Sequence, residues 1–212
     1  MDATAFALIS VSEMTDIHLS TAVPGRRRAS GDKRERLVTA AREVFHRQGV
    51  ETTTLADVAG AADVPVGNVY YYFKTKDDLV AAVVQAHAAA ISAALEQIDR
   101  GLTPRARLKA FVRMLAGQGE LTASYGCPQG SLCSELDKRD DPMREAAAVL
   151  MTLPIEWAQQ QFRQLGRRDA RELAVALIAA YQGAALLTNT LNDPNLMTTE
   201  ARRLERWIDS LS

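Results

Sequence analysis

The chain has 212 residues, with 25 Lys and Arg against 26 Asp and Glu, a formal net charge of −1. Hydrophobic residues make up 47% and charged residues 24%, which excludes collagen-like and wholly disordered chains and leaves length for one large or two small domains. No uninterrupted apolar run reaches about 18 residues, so no membrane span is expected, and the near-neutral total speaks against a general nucleic-acid binder.

In chain order, residues 1–25 carry three acids (Asp2, Glu13, Asp16) and no Lys or Arg, a poor secretory signal. Residues 1–30 mix Ser, Thr, Ala and Gly without a sustained period and read as a flexible arm, with Met14 as a second possible start. The basic excess opens at Arg26-Arg27-Arg28, and residues 26–76 hold ten bases against six acids. That positive segment fits a phosphate-binding surface or a solvated tail. From Asp32 onward the pattern is helical. Leu37, Ala40, Ala41, Val44 and Phe45 make one amphipathic stripe that ends at Gly49. Thr53 and Thr54 can cap a short helix through Val58 and Ala59, with Asp57 in its first turn. Asp63-Val64-Pro65 breaks it, and a second short helix follows over Val66–Phe73. Thr75-Lys76-Asp77-Asp78 resembles a capping box and opens a long helix through Leu79, Val83, Ile91 and Leu95.

Thr103-Pro104 starts the next helix, with Leu108, Phe111, Val112 and Leu115 on one face. Residues 117–130 hold five Gly or Pro residues and read as a loop, with a helix starting just after Cys127. Further helices are expected over Asp141–Gln164, 169–189 and 198–210. No strand-like alternation appears. The predicted class is all-α with about nine helices, divided into an arm at 1–30, a helix-turn-helix domain at 31–76 and an effector-binding and dimerisation domain at 77–212.

Two short helices joined by a tight turn inside a basic segment form a candidate DNA-reading unit. Val69 and Phe73 lie one turn apart and should face the core, leaving Gly67, Asn68, Tyr70, Tyr71 and Tyr72 around the remaining circumference. Gly67 permits close backbone approach to DNA, Asn68 can bond a base edge or phosphate, and tyrosines suit phosphates and thymine methyl groups. Lys74 and Lys76 add charge. Tyr70-Tyr71-Tyr72-Phe73 also fits a core patch, but neighbours on a helix point about 100° apart, so at least one tyrosine must look outward.

The run from Thr53-Thr54-Leu55-Ala56-Asp57-Val58-Ala59 through Val66-Gly67-Asn68-Val69-Tyr70-Tyr71-Tyr72-Phe73-Lys74-Thr75-Lys76-Asp77-Asp78-Leu79 resembles the signature of the tetracycline-repressor (TetR/AcrR) family. The resemblance implies a transcriptional regulator, usually a repressor, acting as a homodimer on a palindromic double-stranded DNA operator. Its implied DNA contacts are Thr53, Thr54, Val66, Gly67, Asn68, Tyr70, Tyr71, Tyr72 and Lys76. Two positions depart from the family pattern. Asp63 stands where glycine is usual in a left-handed turn, a conformation Asp tolerates. Pro65 stands where many members carry a capping Ser or Thr, so it supplies no capping oxygen.

The same resemblance makes the second half a sensor for a small-molecule effector. Two half-sites must lie about 34–36 Å apart or a multiple of that, so small movements at a dimer can abolish the fit to DNA. The last two helices are the expected dimer face, through Leu177, Tyr181, Leu186, Leu204, Trp207 and Ile208, although these stripes also fit an intramolecular core. Phe111, Met114, Leu115, Cys127, Met151, Trp157, Phe162 and Tyr181 are candidate ligand-binding residues for an apolar, aromatic or electrophilic effector, or plain core. Tyr125-Gly126-Cys127-Pro128-Gln129-Gly130 is similar to a glycine-cysteine segment in a branch that responds to quinones and electrophiles through a thiol. Cys127, just before an expected helix, is then the redox candidate, with Cys133 second, or both are small buried groups. His18, His46 and His87 have no metal-ligand spacing, and no nucleophile motif or phosphate-binding loop accompanies them. No enzyme activity, metal, cofactor or membrane partner is expected, and the expected location is the cytoplasm.

Overall fold

The computed structural model describes residues 26–138 and 142–211, with only the backbone path for 26–32. The arm at 1–25, including Met14, and the side chains of Arg26, Arg27 and Arg28 lie outside the described residues. Ten helices and no strand are found among those described: α1 Arg26–Gln48, α2 Leu55–Ala61, α3 Val66–Tyr72, α4 Lys76–Ile98, α5 Pro104–Ala116, α6 Gly119–Tyr125, α7 Pro128–Leu136, α8 Pro142–Gln164, α9 Ala170–Leu191 and α10 Asn195–Ser210. The all-α class is as the sequence predicts.

Local chemistry sets most boundaries. Thr54 caps α2 and Thr75 caps α4, each in a reciprocal box with the aspartate three residues on, Asp57 and Asp78. Thr103 caps α5, with Pro104 at its first position. α9 ends at Asn192 in the left-handed conformation, φ 50°.

The stretch expected as a loop, 117–130, is instead largely helical, containing α6 and the start of α7. Its glycines answer to packing more than to turning. A β-carbon on Gly119 would stand 2.9 Å from the Pro194 carbonyl oxygen, and one on Gly130 would stand 2.6 Å from Gln182 Oε1. These glycines let α6 and α7 lie close against the segment before α10 and against α9. Only Gly126, with φ 80°, breaks the chain between the two helices.

Two apolar clusters share α4. The first joins α1–α4 with Leu132 and Leu136 of α7 and Ala147 and Leu150 of α8. The second gathers Leu95, Leu108, Phe111, Phe162, Leu177, Leu204 and Ile208. α4 and α9 are each long and apolar enough, by length and composition alone, to cross a membrane. Here Leu79, Val80 and Val83 of α4 and Ala174, Leu177 and Ile178 of α9 are buried in these clusters.

The expected dimer residues need correction. Leu177, Tyr181, Leu204 and Ile208 are buried within the chain itself, because the stripes on α9 and α10 face their own core. Trp207 is partly buried and stacks edge-on against Phe162 at 5.9 Å. Leu186 is the exception: it is 67% exposed, and Val175, Leu187 and Leu191 are also exposed on α9.

Candidate nucleic-acid interface and effector cavity

α3 is held by one buried face and presents the rest to solvent. Val69 and Phe73 are buried, while Val66, Gly67, Tyr70 and Tyr71 are exposed. Tyr71, 72% exposed, meets the half-buried Tyr72 edge-on at 5.0 Å. Asn68 is half-buried, and no heavy atom lies within 4 Å of where a Gly67 β-carbon would sit. Thr54 is exposed at the start of α2, its hydroxyl engaged with Asp57 at 2.7 Å. Hydrogen bonds from Thr54 hold the Asp57 carboxyl below its ordinary pKa. Lys74 Nζ donates to the Tyr70 carbonyl (3.0 Å) and Lys76 Nζ to that of Glu51 (2.9 Å).

Thr53 does not belong to this surface. It is 1% exposed, its hydroxyl donating to the Gly49 carbonyl at 2.6 Å and accepting from Gln48 Nε2 at 3.2 Å. It stitches the turn between α1 and α2, and of the two threonines only Thr54 is exposed. Sequence reasoning also passed over Arg36. Its guanidinium donates to the Ala62 (2.5 Å) and Asp63 (2.9 Å) carbonyls and lies 3.5 Å from the Asp63 carboxylate. Asp63 has φ 51°. Arg36 thus satisfies the carbonyls of the left-handed turn that orients α3, which a count of basic residues does not reveal.

The α1–α3 unit is fastened to the remainder at the C-terminal end of α1. The Val50 and Glu51 N–H groups donate to Glu135 of α7, at 2.7 Å and 3.4 Å. His46 Nε2 pairs with the Gly126 carbonyl at 2.9 Å. The His46 ring meets Tyr125 edge-on at 5.7 Å, and Arg47 lies 5.8 Å above the Tyr125 ring.

A small, partly open apolar cavity lies between α5, α9 and α10. Of the eight expected ligand-binding residues, Phe111, Leu115 and Tyr181 line it, joined by Leu177, Met197 and Glu200, which were not assigned to a pocket. The other five are elsewhere. Trp157 packs on Phe111 at 5.2 Å and donates to Asp99 Oδ1 at 3.0 Å. Phe162 is fully buried, and Met114 packs against the same cluster. Met151 Sδ accepts from Gln182 Nε2 at 3.5 Å.

Cys127 caps α7 and is buried with Tyr181, Ala185 and Met197. Its sulfur accepts from the Gly130 N–H (3.4 Å), the Tyr181 hydroxyl (3.5 Å) and Gln182 Nε2 (3.7 Å). Burial first, then the neighbouring sulfur, raises the Tyr181 pKa and keeps that phenol protonated. Cys133 donates to the Ala147 carbonyl at 3.4 Å, and burial pushes its thiol up to about 11. It is therefore protonated at neutral pH and unsuited to redox sensing. The burial of Cys127 likewise gives the thiol-switch expectation no support.

A model of the tetR family of bacterial regulatory proteins matches residues 37–83, and a model of the LmrA/YxaF-like transcriptional regulator C-terminal domain matches residues 104–203. The chain is 29% identical over 168 residues to the HTH-type transcriptional regulator LmrA of Bacillus subtilis, covering 76% of this chain and 88% of that protein. It is 30% identical over 171 residues to the HTH-type transcriptional repressor DhaR of Mycobacterium sp., covering 72% and 80%. The solved structure of regulatory protein TetR from Rhodobacter sphaeroides superposes with a TM-score of 0.72 at 27% identity, covering 81% of this chain and 96% of that one. These relatives are transcriptional regulators and not enzymes. With a helix-turn-helix segment and a C-terminal half that both match, the chain belongs to the tetR family of transcriptional regulators.

Proposed function

We propose that the protein is a ligand-responsive repressor that binds a palindromic operator as a homodimer and releases it when an apolar or aromatic small molecule enters the sensing half. The exposed rim of α3 is the observation that carries the DNA contacts: Val66, Tyr70 and Tyr71 are large side chains left in solvent beside an unobstructed Gly67. Base-edge readout falls to Val66, Gly67, Asn68, Tyr70 and Tyr71. Thr54, Lys74 and Lys76 contact phosphates, and Tyr72 supports Tyr71 from its half-buried position.

The effector reading rests on the small apolar cleft lined by Phe111, Leu115, Tyr181 and Met197, which has to widen to admit a small molecule. Dimerisation falls to the exposed stripe of α9. Val175, Leu186, Leu187 and Leu191 stand there beside Ala176, Ala179 and Gly183, small residues that let a second helix approach closely. The test is fluorescence anisotropy of the purified chain with duplexes tiling the DNA upstream of its own gene, any palindrome among them compared with its scrambled sequence. Saturable binding that a Tyr71→Ala variant loses supports the reading. Equal binding to palindrome and scrambled duplex overturns it.

A further inference from the structure

α3 has seven residues and, among the described residues, no side-chain cap at Pro65, whereas α2 and α4 each start in a capping box. A helix that short does not hold itself in water, so its direction must come from its neighbours. α2 hands the chain on through a Schellman turn: the Asp63 N–H donates to the Gly60 carbonyl at 3.2 Å and the Val64 N–H to that of Ala59 at 3.0 Å. Asp63 takes the left-handed position of that turn, φ 51°, where glycine would carry no β-carbon penalty. The carbonyls of Ala62 and Asp63 are left for α1, where Arg36 Nη2 donates to both and stands 3.5 Å from the Asp63 carboxylate. Past the other end of α3, the Arg34 guanidinium lies 5.2 Å from the centroid of the Phe73 ring. Two arginines of α1 thus grip the turn before α3 and the residue after it.

We infer that Arg36 is the positioning residue of α3: it holds Asp63 in the left-handed turn, so fixes the direction of the helix for sequence-specific DNA binding, and does not act as a phosphate contact. The DNA half of this inference rests on the proposed reading that α3 meets DNA. Its distinguishing consequence is a coupling between two positions. An arginine that met a phosphate would cost the same on removal whatever stood at position 63. An arginine that compensates for a β-carbon and a carboxylate in a turn suited to glycine costs much on removal beside Asp63. It costs little beside Asp63→Gly, because glycine keeps that conformation unaided. Asp63 in the turn and Arg36 above it are then one device in two parts.

The test is a double-substitution cycle on the full chain, Arg36→Met and Asp63→Gly alone and together, read by anisotropy on a duplex that the wild-type chain enriches from a randomised pool. The expected result is an affinity loss of about tenfold or more for Arg36→Met, and of about threefold or less when Asp63→Gly is also present. Equal losses in the two backgrounds, including none in either, overturn the inference. So does a salt slope lowered by about one unit in folded Arg36→Met, the mark of a lost phosphate contact. Amide exchange without DNA gives an independent reading. The amides of Tyr70, Tyr71, Tyr72 and Phe73 should exchange about tenfold faster in Arg36→Met, with α9 unchanged, and recover in the double variant. Unchanged exchange in α3 overturns the inference. Should Arg36→Met fail to fold, Arg36→Lys enters the same cycle, since it keeps the charge and loses the planar fork. A wild-type chain that enriches no duplex refutes the DNA reading of α3, and the exchange measurement still decides whether Arg36 holds the helix.

Discussion

At Gly67 the open space around the missing β-carbon separates two roles that glycine could have. Were the residue needed by the fold, alanine would strain it. With nothing to meet, alanine should leave the thermal midpoint unchanged or raise stability by about 0.5–1 kcal/mol, as expected inside a helix. Operator affinity should nevertheless fall tenfold or more, because the methyl group would stand on the proposed DNA-contact face. Calorimetry and anisotropy on Gly67→Ala check both halves, and unimpaired operator binding would remove Gly67 from the contact surface. His87 supplies the second prediction at this scale. Its folded pKa of about 3 lies far below the ordinary 6.5, so beneath pH 6.5 the unfolded chain takes up a proton that the folded chain refuses. The stability contribution is complete above pH 6.5 and is lost as pH falls towards 3. Between pH 7.5 and pH 5 the loss should be about 2 kcal/mol. Urea melts in a buffer free of carboxylates measure it, and His87→Gln should flatten the profile. Burial lowers His46 in the same direction.

Among the elements, α2 spans only seven residues and leans on its capping box. Thr54→Ala should cost about 1 kcal/mol in urea denaturation. The exposed stripe of α9 makes a further prediction: Leu186→Glu with Leu187→Glu should yield a folded monomer by sedimentation, its helical circular dichroism unchanged. An intact dimer would move the interface elsewhere. Helix boundaries were legible wherever the signal is local, as with Thr54 and Asp57, Thr75 and Asp78, and Thr103 and Pro104. The buried pair Val69 and Phe73 was legible from the helical period, and the left-handed Asp63 from its place in the turn. What was illegible depends on distant partners. Gly119 and Gly130 read as loop formers because the Pro194 carbonyl and the Gln182 side chain that crowd them are far away in sequence. Thr53 and Thr54 are chemically alike, and only the turn after Gly49 decides which one is buried. The cavity was half visible for the same reason: Leu177 and Leu204 carry an apolar stripe that serves a core, a pocket or an interface equally well.

For the molecule as a whole, one cluster joins α1–α4 to α7 and α8, so the α1–α3 head and the C-terminal half do not have separable cores. Thermal unfolding should therefore follow one cooperative transition by fluorescence and by circular dichroism; two well-separated transitions would contradict a shared core. The charge gradient acts at this scale too. A net of −1 conceals a basic head, and the proposed dimer would present two such heads to one duplex. Operator affinity should fall linearly with the logarithm of salt, and Lys74→Gln should reduce that slope by about one unit.

α4 begins beside the recognition helix and ends in the second cluster, 23 residues later. At 1.5 Å per residue it is a rod roughly 34 Å long. Pivoted at its far end, a tilt of about 5° carries the near end some 3 Å, close to the 3.4 Å rise between stacked bases. On the proposed function, a side-chain adjustment at the far end of α4 would be enlarged to about a base step at α3, and in a symmetric pair the two displacements would add.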